Sequence, residues 1–80
     1  MKDALDAVAV SSLALTDTEL RVIEGIALGE TSAETAARLL VSLETVKSQR
    51  ASAARKLGAK NGPHAVYIAT RAGLLDEVAA

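Results

Sequence analysis

The chain has 80 residues, which is enough for one small domain, and half of them are apolar. It has one aromatic residue and no cysteine, which excludes disulfides and thiolate metal sites and leaves a core of aliphatic side chains. The net charge of −1 is unevenly distributed: residues 1–30 carry six acidic and two basic side chains, whereas residues 31–75 carry seven basic and two acidic ones. A basic flank can bind a phosphate backbone, although solvated helix faces would give the same asymmetry.

Residues 1–14 are predicted to form an N-terminal arm that is flexible or weakly helical, and residues 76–80 a C-terminal tail. No apolar run approaches the roughly 18 residues that a membrane span requires. The first ten residues lack the basic start and long apolar stretch of a signal peptide. We therefore expect a cytoplasmic protein with no membrane partner.

Two helices with the same start signal are predicted first. Thr16 and Glu19 have the spacing of a capping box, and Thr31 and Glu34 repeat it. Apolar residues of helical period follow each box, and Gly29 ends the first helix. The second helix is expected to be only eight or nine residues long.

A break of about three residues leads to a third helix capped by Ser42. Val46, Ala53 and Leu57 fall within one narrow arc and are the predicted core residues of this helix. Gly58 ends it. A fourth helix has Pro63 in its first turn and ends at Gly73. Four helices joined by short connections predict an all-α fold.

The stretch at about 31–57 predicts a helix-turn-helix, because its two helices are joined by a very short turn. In such motifs the second helix enters the major groove, so its outer face must carry small or polar side chains. Glu44, Ser48, Ala51 and Arg55 meet this requirement, and Lys47 lies on their flank.

Residues 15–75 resemble the LuxR-type (GerE-like) domain of bacterial transcription regulators without a gap. The matching residues are Leu15, Thr16, Glu19, Val22, Ile23, Ala27, Gly29, Glu34, Ala36, Leu39, Val41, Ser42, Thr45, Val46, Lys47, Lys56, Leu57, Gly58, Ala65, Val66, Gly73 and Leu74. Residues 15–57 alone would also fit region four of a bacterial sigma factor, and the fourth helix favours the LuxR type. Three residues depart from the pattern: Thr35 replaces a buried isoleucine and is expected to loosen the second helix, Leu40 replaces a glycine, and Gly62 replaces a basic residue.

The resemblance implies that the third helix reads DNA. The DNA-binding residues carried over position by position are Thr45, Lys47, Ser48, Arg50, Ala51 and Arg55. Lys47 would contact phosphate or a guanine edge, Thr45 would bond phosphate, and Ser48 and Ala51 would face bases. Arg50 has a structural alternative, in which it pairs with an acid such as Glu19 or Glu34. Lys56 and Lys60 either contact phosphate or complement the dipole at a helix C-terminus.

The resemblance also implies a weak homodimer through the fourth helix, at about residues 63–74. The predicted contact residues are Ala65, Val66, Ala69, Thr70 and Gly73. The alternative function is a small protein-binding antagonist, or a module that contacts RNA polymerase or another regulator. Related domains carry a sensor or receiver segment in front, so the chain is either complete without one, which Met1 mildly favours, or a fragment.

Catalytic and metal chemistry find no support in the sequence. His64 is the only histidine, so a metal site is improbable, and exposure at a helix start is the better interpretation. Ser42 has a capping role and no histidine–acid partner in the motif. The predicted function is therefore non-enzymatic and needs no cofactor.

Overall fold

The computed structural model describes residues 15–75, and these form four α-helices and no strand. The helices are α1 (Asp17–Ala27), α2 (Ser32–Leu39), α3 (Leu43–Leu57) and α4 (Gly62–Arg71). The all-α prediction is thereby confirmed. The predicted arm and tail lie outside the described residues. Between residues 15 and 75 no helix is both long and apolar enough to cross a membrane.

Side-chain caps begin each of these helices. The Thr16 hydroxyl accepts a hydrogen bond from the Glu19 N–H at 3.0 Å, and the Glu19 carboxylate accepts one from the Thr16 N–H at 2.8 Å. Thr31 and Glu34 form the same reciprocal pair at 3.1 and 2.8 Å. Single caps at Ser42 and Asn61 begin α3 and α4. Both predicted capping boxes and the Ser42 cap are confirmed, whereas the Asn61 cap was not predicted.

Each of the four helices is followed within two residues by a residue in the left-handed region. Gly29, Gly58 and Gly73 have φ between 71° and 81°, where glycine lacks the Cβ penalty of other residues. The fourth such residue is Leu40, which ends α2 with φ 60° and ψ 42°. Its side chain is 90% exposed. The turn of the helix-turn-helix therefore contains the one non-glycine residue among residues 15–75 with a positive φ.

Helices α1 and α3 form the centre of the fold, because each packs against the other three helices. One core cluster consists of Leu15, Ile23, Ala53, Ala65 and Ala69, and a second consists of Val22, Ala36 and Val46. Val46 and Ala53 are fully buried, and Leu57 packs against the first cluster. The predicted inner face of α3 is thus confirmed.

A close approach of α1 and α2 depends on Gly25. A Cβ atom at this position would overlap Thr35 Oγ1 and lie 2.8 Å from Glu30 Oε1. Thr35 is buried, and its hydroxyl donates to Glu30 Oε1 at 2.7 Å. Because a buried hydroxyl is costly only when unpaired, this bond compensates the burial. Thr35 was expected to loosen α2. Its hydroxyl is paired, so it does not leave an unpaired polar group in the contact between α1 and α2.

Candidate nucleic-acid interface

The outer face of α3 is a continuous exposed surface. Lys47, Ser48, Ala51 and Arg55 are all solvent-exposed. The helix has 15 residues, so its axis is about 22 Å long at 1.5 Å per residue. The structure thus presents to solvent the side of α3 that the sequence predicted to face DNA.

The cations on this face have no partner within the described part of the chain. Lys47 and Arg55 form no ion pair or hydrogen bond through their side chains with any of residues 15–75. Two cations elsewhere on the surface are paired: Arg38 contacts Glu30 at 2.7 Å, and Arg21 contacts Glu24 at 3.4 Å. The Arg38 hydrogen bond, together with that of Thr35, lowers the pKa of Glu30. The charges of Lys47 and Arg55 are therefore available to an external anion.

The N-terminus of α3 places two hydroxyl groups side by side. Ser42 accepts a hydrogen bond from the Thr45 N–H at 3.0 Å, and its own hydroxyl donates to Thr45 Oγ1 at 2.9 Å. Thr45 is half-buried. Because the N-terminal N–H groups of a helix favour anions, a phosphate could approach Thr45 at this end of α3.

Arg50 is partly buried on α3, and its guanidinium contacts both α2 and the start of α4. It is half-buried, and its Nη1 donates to Ser32 Oγ on α2 at 2.8 Å. A Cβ atom on Gly62 would lie 3.0 Å from Arg50 Nη2, so the start of α4 packs against the guanidinium. The expected pairing with Glu19 or Glu34 is wrong, because the guanidinium lies between α2 and α4 and bonds a hydroxyl instead.

Glu19 is a buried carboxylate that connects α1 to α3. It is 3% exposed and accepts hydrogen bonds from Ser52 Oγ at 2.5 Å and Lys56 Nζ at 3.0 Å, in addition to its own cap. Burial alone would raise the pKa of Glu19, but the bonds from Ser52, the Thr16 N–H and Lys56 together lower it. Ser52 and Lys56 are one helical turn apart on α3. Their bonds to the Glu19 carboxylate therefore hold two successive turns of α3 against α1.

The roles of Ser52 and Lys56 were not found from the sequence. Lys56 was expected to contact phosphate or to complement the dipole of α3; it does lie in the last turn of α3, and it also forms an ion pair with Glu19 that was not predicted. Ser52 was not singled out at all. Their spacing of four on α3 was a weak signal, because it places them on one side of the helix without identifying the facing residue.

The predicted dimer contacts on α4 require a correction. Ala65 and Ala69 are fully buried in the first core cluster, so their side chains are not accessible to a second chain. Alanine gives no indication of which side of an alanine-rich helix is buried, and this ambiguity led to the wrong assignment. Of the remaining predicted contacts, Thr70 and Gly73 are exposed and Val66 is half-buried.

The outer face of α4 carries the only aromatic residue of the chain. Tyr67 is 57% exposed, and its hydroxyl accepts a hydrogen bond from Arg71 at 3.1 Å. The Tyr67 ring also stacks with His64 at a centroid distance of 6.4 Å. His64 is half-buried, and its Nδ1 accepts a bond from the Lys60 N–H. Tyr67 was not predicted as a surface contact residue, although an isolated aromatic on α4 was a usable signal.

A shallow groove of about 320 Å³ adjoins the exposed face of α3. It lies between α3, the end of α1 and the start of α4. Its lining includes Ile26, Lys47, Ala51, Ala54 and Gly62. Arg50 and Asn61 also line it, so the groove opens beside three of the residues that were predicted to contact DNA, Lys47, Arg50 and Ala51.

Comparison with known proteins agrees with this geometry. The model of the family described as "Bacterial regulatory proteins, luxR family" (GerE) matches residues 13–69. The chain is also 44% identical over 61 residues to the HTH-type transcriptional activator RamA of Corynebacterium glutamicum. The aligned region covers 76% of this chain and 22% of that protein.

Proposed function

This chain belongs to the luxR family of bacterial regulatory proteins, and we propose that it binds double-stranded DNA as a transcription regulator, with α3 in the major groove. Helix-turn-helix proteins insert their second helix in this way, while the first crosses the phosphate backbone. Here α3 is the inserted helix and α2 the crossing one.

The availability of Lys47 and Arg55 supports this proposal most directly. Arg21 and Arg38 form ion pairs on the surface, whereas Lys47 and Arg55 have no carboxylate partner within residues 15–75 and lie on one exposed helix face. A fold that needed them for its own stability would pair them. Their accessibility suits the phosphates and guanine edges of DNA, both of which accept hydrogen bonds from cations.

The proposal divides the candidate residues by role. Lys47 and Arg55 contact phosphate or guanine, Ser48 and Ala51 face bases, and Thr45 bonds a phosphate at the start of α3. Arg50 has a different role, because its bond to Ser32 directs the guanidinium toward α2. It holds α3 at its angle to α2 and does not read bases.

The test is a binding titration with Lys47→Ala, monitored by fluorescence anisotropy on duplexes enriched from a random pool. We expect wild type to bind with a steep salt dependence and Lys47→Ala to bind about tenfold more weakly, with a salt slope reduced by about one unit. Arg21→Ala is the matched control, since it removes the same charge from α1 and should leave affinity within about twofold. Equal binding of wild type and Lys47→Ala would refute the proposed role of α3.

We also propose that the chain pairs through the outer face of α4, with Tyr67 and Thr70 in place of the buried alanines. An exposed tyrosine supplies the large amphipathic contact that interfaces favour. The same titration measures stoichiometry, and two chains per palindromic duplex are expected. The alternative, in which this face pairs with a different regulator, predicts one chain per duplex or no DNA binding.

A further inference from the structure

One row of residues along α3 alternates between apolar and basic side chains. Leu43, Lys47, Ala51 and Arg55 follow one another at four-residue spacing, which places them side by side along the helix. All four are exposed, including Leu43 at 40%. The row lies on the part of α3 that the proposed function places in the major groove.

Ala51 forms a recess in this row. Its side chain ends at Cβ, whereas Lys47 and Arg55 on either side extend by several further atoms. The recess joins the groove of about 320 Å³ described above, to which Ile26 and Ala54 contribute apolar surface and Arg50 and Asn61 contribute polar groups. A group placed directly against Ala51 therefore meets its methyl group and the methylene groups of the two neighbouring cations.

The chemistry of base edges decides what this recess favours. Thymine alone presents a methyl group in the major groove; cytosine has only a hydrogen atom at that position, and the purines present hydrogen-bonding atoms at their major-groove edge. A polar edge placed against Ala51 loses water without gaining a hydrogen bond, whereas a methyl group placed there removes apolar surface from water. We propose that Ala51 selects thymine through contact with its C5-methyl group, while Lys47 and Arg55 bind acceptors on either side.

This inference rests on the proposed function, so its test begins with a duplex that wild type binds. Each thymine in the enriched sequence is replaced in turn by uracil, which removes the methyl group and changes nothing else in the major groove. We expect at least one replacement to raise Kd about fourfold, the factor that burial of one methyl-sized group corresponds to. In the Ala51→Gly variant, the same replacement should have no effect.

Ala37→Gly provides the matched control for helix stability. Ala37 is an exposed alanine of α2, so its replacement carries a comparable glycine penalty away from the proposed contact. Binding by this variant should remain sensitive to uracil at the same position. The comparison separates loss of the methyl contact from general weakening of a helix.

The possible outcomes separate the two claims. If wild type does not bind the duplex, or binds without dependence on Lys47, the proposed function fails and the inference fails with it. If binding depends on Lys47 but no uracil replacement matters, thymine selection is refuted and the proposed function stands. Equal uracil sensitivity in wild type and Ala51→Gly would likewise refute the role of Ala51.

Discussion

Replacement of Glu19 by glutamine should destabilise the domain by more than the loss of one surface charge. Glutamine keeps the shape and its Oε1 can still accept from the Thr16 N–H, but its NH2 group cannot accept from Ser52, and the charge that faces Lys56 is lost. Hydrogen bonds to charged groups contribute about 1.5–3 kcal/mol, and breaking a fully buried pair costs about 3–5 kcal/mol. Because Lys56 is 31% exposed and can regain water, we expect a loss of about 1–2 kcal/mol.

The measurement is urea denaturation followed by far-ultraviolet circular dichroism. Glu34→Gln is the matched control, because Glu34 forms the same capping-box bond at 2.8 Å but is exposed and has no cation partner among residues 15–75. The control should lose no more than about 0.5 kcal/mol, the low end for a cap in solvent. Equal losses in the two variants would show that Glu19 acts only as a cap.

The pH dependence of stability gives a second measurement on Glu19. Its pKa is lower in the folded state than the ordinary value of 4.5 that applies when the chain is unfolded. The stabilisation is therefore fully present above about pH 4.5 and is lost as the pH falls through the folded-state pKa. Glu19→Gln should remove this contribution, so the two stability curves should converge in acid. Parallel curves would contradict the proposed charge pairing.

Two further substitutions test the helix ends and the contact between α1 and α2. Leu40→Gly should stabilise the domain by about 1 kcal/mol, because the left-handed conformation is unfavourable for leucine. The leucine side chain is 90% exposed, so its removal loses little buried surface. A lower stability in urea denaturation would contradict this prediction. Gly25→Ala should destabilise by about 1–3 kcal/mol, although alanine favours helices, because its Cβ would overlap Thr35 Oγ1. A gain in melting temperature for Gly25→Ala would show that α2 moves freely away from α1.

The helix boundaries and the inner face of α3 could be predicted from the sequence because their causes are local. A threonine with a glutamate three residues later satisfies the first N–H groups of a helix wherever it lies, and a glycine can adopt positive φ without external support. The spacing of Val46, Ala53 and Leu57 likewise defines one side of α3 without reference to any neighbour. The outward side of α3, with Lys47, follows from the same pattern.

The partners across helices were decided only by the tertiary structure. Glu19 and Lys56 are 37 positions apart, and Arg50 and Ser32 are 18 apart, so their contacts depend on the angles at which the helices cross. The burial of Ala65 and Ala69 has the same origin, because a methyl group is compatible with either a core or a surface position. Capping and periodicity act within a few residues, whereas these contacts exist only once four helices are packed together.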